Sequence, residues 1–216
     1  MAIQKKDYVR ISEILPLVKS YLSSDVSVII QQRVREFESM KNSSEEILYS
    51  ELCFCILAAN TSAELGLRTQ SMVGPENFLT MERDELRNLL KSVHYRFYNV
   101  RSRFIDENRW IAEKLPWLVR NEKPWELREY LVENLKGIGY KEASHFMRNV
   151  GIFDFAILDK HILRMLSEES EPKKITSPSR YYEYERELIE KCSEFSLKPG
   201  VLDLYLWYIA TGKIIK

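Results

Sequence analysis

The sequence predicts an all-α fold. Apolar residues recur at three and four along most of the chain, the spacing of one helix face. No segment alternates apolar and polar residues as a half-buried strand does. Seven glycines and seven prolines in 216 residues are too few for a many-turned β-sandwich or a disordered linker.

Each helix has its own signal. Val26, Ile29, Ile30, Val34 and Phe37 form one apolar face, and Asn42-Ser43-Ser44 breaks it. Ser43 with Glu46 makes a capping box for a helix through Ile47, Leu48, Leu52, Cys55 and Ile56. A helix from about Thr80 carries Leu86, Leu89, Leu90 and Val93. The next starts near Asn99, holds Val100, Phe104, Ile111 and Leu115, and ends before Pro116. Pro124 stands where a first-turn proline would, ahead of Leu127, Tyr130 and Leu131. Residues 168–174 read as a charged loop. Ser177-Pro178-Ser179 opens a helix through Tyr181, Tyr184, Leu188 and Cys192, and the last helix spans about Pro199 to Thr211.

Composition narrows the class. Lys+Arg and Asp+Glu are 32 each, so net charge is zero and a nucleic-acid partner must be argued from local clustering. Cys53, Cys55 and Cys192 are too few for a disulfide framework and cannot alone hold a zinc or iron–sulfur site. Cys53 and Cys55 lie inside an apolar run and read as small buried hydrophobes. No stretch approaches the ~18 apolar residues of a membrane span, and the start of the chain lacks the apolar core of a signal peptide. The expected setting is intracellular, in the cytoplasm or nucleoid, without a membrane.

One passage carries chemistry: Leu135-Lys136-Gly137-Ile138-Gly139-Tyr140-Lys141, between two helical patterns. Gly137 and Gly139 allow a tight turn and close approach to a ligand. A helix starting near Tyr140 offers unpaired N–H groups at that turn, a ready site for a phosphate. Glycine used purely for turn geometry is the competing reading. The positive end of the helix dipole biases the Lys141 amine toward its neutral, nucleophilic form. Asp159, in Ile157-Leu158-Asp159-Lys160-His161, is a carboxylate that can relay a proton or stabilise positive charge on a sugar. Lys141 and Asp159 taken alone would more often form a salt bridge. His94-Tyr95-Arg96-Phe97-Tyr98-Asn99-Val100-Arg101-Ser102-Arg103 interleaves arginines with aromatics and has no acid, which is the local basic clustering that DNA needs; a solvated helix face is the competing reading.

These features together resemble the helix–hairpin–helix DNA glycosylase superfamily. The Asp-x-His ending is intact in Asp159-Lys160-His161, while the proline usual before it is replaced by Ile157-Leu158. Small size, missing cluster cysteines, Gly-Ile-Gly-Tyr-Lys and a lysine-terminated tail look like the compact archaeal-type 8-oxoguanine DNA glycosylase/lyases. The resemblance covers about Asp25 to Lys216.

The resemblance implies two helical lobes, one of residues 44–155 ending in the hairpin, the other of residues 1–43 with 156–216. A cleft between them would bring Lys141 and Asp159 together. It implies that Lys141 attacks C1′ and forms a Schiff base, with Asp159 as the activating carboxylate. Phe97 and Trp207 would sandwich the extruded base; each could instead be a core aromatic. Lys216 would help tell the oxidised base from guanine, and Asp203 or a carbonyl near Pro199 would accept its N7–H. Gly137 and Gly139 amides, Asn60, His161, Arg96 and Arg101 would contact DNA, with Asn60 filling the gap. As alternatives, Asn60 suits a helix C-cap and His161 a satisfied helix start. No cofactor is expected; the carbonyls of Glu133, Leu135 and Ile138 would hold a monovalent cation. The partner is duplex DNA containing oxidised guanine, bound by a monomer. The rival readings are a glycosylase for oxidised pyrimidines and a non-catalytic DNA-binding module.

Overall fold

The computed structural model describes residues 10–167 and 173–215. Among these there are helices, turns and extended connections, and no strand. The helices are α1 (Ile11–Leu22), α2 (Asp25–Met40), α3 (Glu45–Ala58), α4 (Ala63–Val73), α5 (Pro75–Thr80), α6 (Arg83–Ser92), α7 (Tyr98–Glu107), α8 (Leu115–Asn121), α9 (Pro124–Asn134), α10 (Tyr140–Asn149), α11 (Lys160–Met165), α12 (Pro178–Lys191) and α13 (Pro199–Thr211). Short 3-10 turns cover Arg109–Lys114 and Ser193–Phe195. No helix among the described residues is long and apolar enough to cross a membrane. Most of the charged loop expected over 168–174 lies outside the described residues.

The chain forms two compact units. One is the continuous segment Phe37–Gly151; the other combines residues up to Glu36 with those from Ile152 onward.

The continuous unit is built around α3. Every residue from Leu48 to Ala58 is buried. A helix apolar on all sides must be enclosed on all sides, and α4, α5, α7, α8 and α10 all pack on it. Cys53 and Cys55 are fully enclosed, and burial pushes both thiols up. One polar network crosses this core. Gln70 Nε2 donates to Glu51 Oε1 at 3.0 Å, and Asn149 Nδ2 donates to Glu51 Oε2 at 3.2 Å.

Three helix boundaries differ from the sequence reading. The cap of α3 is Ser44 and not Ser43, because the Ser43 N–H closes the end of α2 on Met40 O at 3.0 Å. The helix starting near Asn99 does not run on to Pro116. It stops at Asn108, whose side chain is used elsewhere, and a 3-10 turn follows. Pro116 does not end a helix but sits in the first turn of α8, where its missing N–H costs nothing. The helix expected from Thr80 begins at Arg83, after α5 has ended at Thr80.

In the other unit α1 packs on α13, with Tyr21 edge-on to Tyr208 at 5.2 Å and Ser27 Oγ 3.0 Å from the Tyr205 hydroxyl. Pro199 starts α13, and Gly212, at φ 72°, ends it in the left-handed conformation.

Candidate active site

The hairpin is α9, a turn, and α10. Leu135 leaves α9 in extended conformation, and Gly137 turns the chain at φ 77°. A Cβ on Gly137 would lie 2.4 Å from Phe104 Cδ2, so both conformation and space demand glycine there. Gly139 is the N-cap of α10, and its N–H donates to Glu142 Oε2 at 3.3 Å. That amide, expected to face phosphate, is therefore already partnered by a carboxylate three residues on, half of a capping box. The Tyr140 hydroxyl donates to Glu129 Oε2 at 2.8 Å and ties α10 back to α9.

The turn is also held from outside. Asn108, fully buried at the end of α7, donates from Nδ2 to Lys136 O and accepts at Oδ1 from Lys136 N–H. Sequence reasoning missed this residue. An asparagine at the end of an apolar helix reads as a cap, and nothing local points to a partner in the hairpin.

Lys141 is the second residue of α10. Its side chain is 26% exposed, and Nζ lies 3.7 Å from Glu142 Oε1. The amine is thus partly sheltered beside the start of the helix. Leu135 and Ile138 are buried in the turn, and Glu133 is exposed in the last turn of α9. Three backbone carbonyls are neutral oxygen ligands, a donor set that suits a hard cation of low charge.

Asp159 is the N-cap of α11. Its Oδ1 accepts from His161 N–H at 2.8 Å and from Ile162 N–H at 2.9 Å. The extended segment before it is fixed by α12: Ala156 N–H donates to Glu185 Oε1 at 2.9 Å, and the Tyr181 hydroxyl donates to Ala156 O at 2.8 Å. Tyr181 entered the sequence reading only as part of an apolar face, and Glu185 not at all. Their partners lie far away in sequence.

His161 stands edge-on to Trp207 at 5.3 Å. Burial lowers its pKa from the ordinary 6.5, against the pull of Asp159 and with the help of Lys160 and Arg164. Trp207 is half-buried on α13, and its Nε1 is buried without a hydrogen-bond partner among the described residues. Asp203 is 7% exposed one turn earlier on the same helix face. Lys216 lies outside the described residues.

Phe97 is half-buried at the start of α7, with Arg96 Cζ 5.1 Å and Arg101 Cζ 5.7 Å from its ring centre. Arg96 is exposed. Arg101, expected on the basic face, is only 8% exposed: its Nη2 donates to Ala59 O at 3.1 Å, which draws the side chain inward against α3. Asn60 is exposed just beyond α3, in the left-handed region at φ 59°.

A tight glycine turn between two helices, with a partly sheltered lysine in the first turn of the second, defines a helix–hairpin–helix protein of the DNA glycosylase class. The family profile described as 8-oxoguanine DNA glycosylase matches residues 30–197. The 8-oxoguanine DNA glycosylase/AP lyase of Thermoplasma acidophilum is 53% identical over 188 residues, 87% of this chain and 91% of that protein. The protein of the same name from Thermoplasma volcanium is 50% identical over 192 residues, 89% and 94% of the two chains. The crystal structure of the Methanocaldococcus jannaschii 8-oxoguanine glycosylase/lyase with a 15mer DNA containing 8-oxoguanine superposes with a TM-score of 0.88. It is 43% identical, covering 94% of this chain and 99% of that one. The chain belongs to the 8-oxoguanine DNA glycosylase family.

Proposed function

We propose that this chain excises 8-oxoguanine from duplex DNA and then cleaves the strand at the abasic site. The placement of Lys141 carries this reading: a partly sheltered amine in the first turn of the helix that follows the glycine hairpin. A pure binding module needs the hairpin but has no use for that amine.

In this reading the Lys141 nitrogen bonds to C1′ as the C1′–N9 bond breaks. The base leaves with the bonding pair and takes up a proton, and lysine gives one up. The sugar ring opens to a Schiff base, loss of a proton from C2′ follows, and the 3′ phosphate departs by β-elimination. Asp159 supplies the carboxylate that stabilises positive charge on the sugar. Its cap bonds occupy Oδ1, which fixes the orientation of the group.

Extrusion costs a few kcal/mol of unstacking. Phe97 and Trp207 stack on the extruded base, and each is half-buried. Asp203 or a carbonyl near Pro199 accepts from the N7–H that guanine lacks, and Lys216 adds to that discrimination. Asn60 fills the vacated position, supported by its exposure at the tip of a turn. The Gly137 side of the hairpin and the start of α10 hold phosphate; Gly139 shapes the approach. Arg96 and His161 contact the backbone or sugar, and Arg101 serves the interface from beneath it. The carbonyls of Glu133, Leu135 and Ile138 suit a monovalent cation that would neutralise phosphate at the turn. A monomer is the active form in this reading.

Borohydride trapping tests the reading, because it reduces the Schiff base to a stable amine. A covalent complex is expected on an 8-oxoguanine duplex, absent on undamaged DNA and absent in Lys141→Gln. Trapping mainly on thymine glycol would move the chain to the pyrimidine class, and binding without any trapping would make it a module.

A further inference from the structure

Phe97, Arg101, Phe104 and Asn108 follow one another at four, three and four, so they form one stripe along α7. Phe104 lies against Gly137 and Asn108 holds Lys136. Arg101, between them, is the unusual member. Its Nη2 bonds Ala59 O, and its Cζ lies 5.7 Å from the ring centres of both Phe97 and Phe104. Its Nε is buried with no hydrogen-bond partner among the described residues. No carboxylate pairs with it among the described residues. A buried cation without a counter-charge is less stable than an apolar side chain of its length. What faces the guanidinium is two rings, Ala59 O and the Tyr95 hydroxyl, all of them neutral.

We propose that Arg101 is a positioning residue that couples the Asn60 turn to the Phe97 ring, so that gap-filling and base-stacking occur as one event. Asn60 holds a left-handed conformation at φ 59°, which side-chain-bearing residues rarely adopt. Arg101 pins the carbonyl immediately before it. Two residues earlier, Leu57 O accepts from both the Tyr95 hydroxyl and Thr61 Oγ1. The same guanidinium lies against Phe97, so a shift of the turn is felt at the ring. The proposal rests on the reading above that places Asn60 and Phe97 at the extruded nucleotide.

The test uses the full chain on two duplexes, one with 8-oxoguanine opposite cytosine and one with a natural abasic site at that position. Arg101→Met keeps the length and removes the charge and the donors. Single-turnover release of 8-oxoguanine at saturating enzyme is expected to slow about tenfold, several-fold more than cleavage of the abasic duplex, which has no base for Phe97 to stack on. Asn60→Ala should slow release in the same way, and the double variant should be no slower than the worse single one, because coupled residues are not additive. Arg101→Lys, which keeps a donor for Ala59 O, should recover part of the rate. If Arg101→Met does not fold, Arg101→Lys with and without Asn60→Ala runs the same cycle. Multiplying losses in the double variant, or equal slowing on both duplexes, overturns the proposal. Wild-type release by Asn60→Ala overturns it too, by removing Asn60 from the site. Trapping by Lys141→Gln would instead sink the lysine mechanism and leave the cycle readable.

Discussion

Asn108 grips Lys136 by both hydrogen-bonding groups of its backbone, its Nδ2 on the carbonyl and its Oδ1 on the N–H, each at 2.9 Å. Side-chain amides rarely imitate a strand neighbour this closely, and here the imitation anchors a turn that has no regular structure of its own. Asn108→Ala should cost about 2 kcal/mol, since two hydrogen bonds vanish from a buried position. It should also weaken binding to an abasic-site duplex, which urea unfolding and fluorescence anisotropy would measure side by side. Unchanged DNA affinity in a destabilised variant would confine Asn108 to a packing role.

Gly137 should be close to irreplaceable. Gly137→Ala meets two obstacles, a φ of 77° and Phe104 Cδ2 at 2.4 Å. The expected loss is on the order of 2–3 kcal/mol. Adding Phe104→Leu should return the steric part and leave about 1 kcal/mol for the left-handed backbone. Thermal melting of the single and double variants separates the two parts, and full recovery in the double variant would show that the backbone is not strained.

Asp159 combines a cap with a charge, and one atom separates them. Asparagine caps helices as well as aspartate does, so Asp159→Asn should keep stability within about 0.5 kcal/mol of the parent. Base release should fall at least about a hundredfold, because the negative charge is gone. Asp159→Ala should lose both, with the cap worth about 1 kcal/mol. Wild-type excision by Asp159→Asn would reduce the residue to a cap.

His161 gives the fold a pH dependence of definite sign. Its pKa in the fold lies below 6.5, chiefly because burial beside Trp207 disfavours the charged ring. The unfolded chain therefore binds more protons than the folded one between those two values. Stability should fall as pH drops through about 6.5 and be insensitive to this group above it. Urea midpoints across pH 5–8 for the parent and His161→Asn should differ in slope only on the acid side. Parallel curves would show that His161 has no part in the acid sensitivity.

Much of this molecule was legible in its sequence. Pro199 and Gly212 bracket α13 by the rules that place proline at helix starts and glycine at ends, and Pro124 does the same for α9. The hairpin and Lys141 were equally visible, because their chemistry is local and ordered in sequence. Contacts between distant residues were not. Glu185 meets Ala156, and Asn108 meets Lys136, across intervals that no periodicity reports. Arg101 was misplaced for another reason. An arginine among aromatics looks like a solvated DNA-facing side chain, although its spacing to Phe97 and Phe104 already put it on the packed stripe.

The stripe on α7 acts as a ruler. A helix of ten residues is roughly 15 Å long, and its two ends hold the stacking ring and the grip on the hairpin. Inserting or deleting one residue would advance the far end by about 1.5 Å and swing it through about 100°. Every contact beyond the change would lose register together, where a substitution loses only its own. A change in the length of this segment therefore does more damage than a change in any one of its side chains.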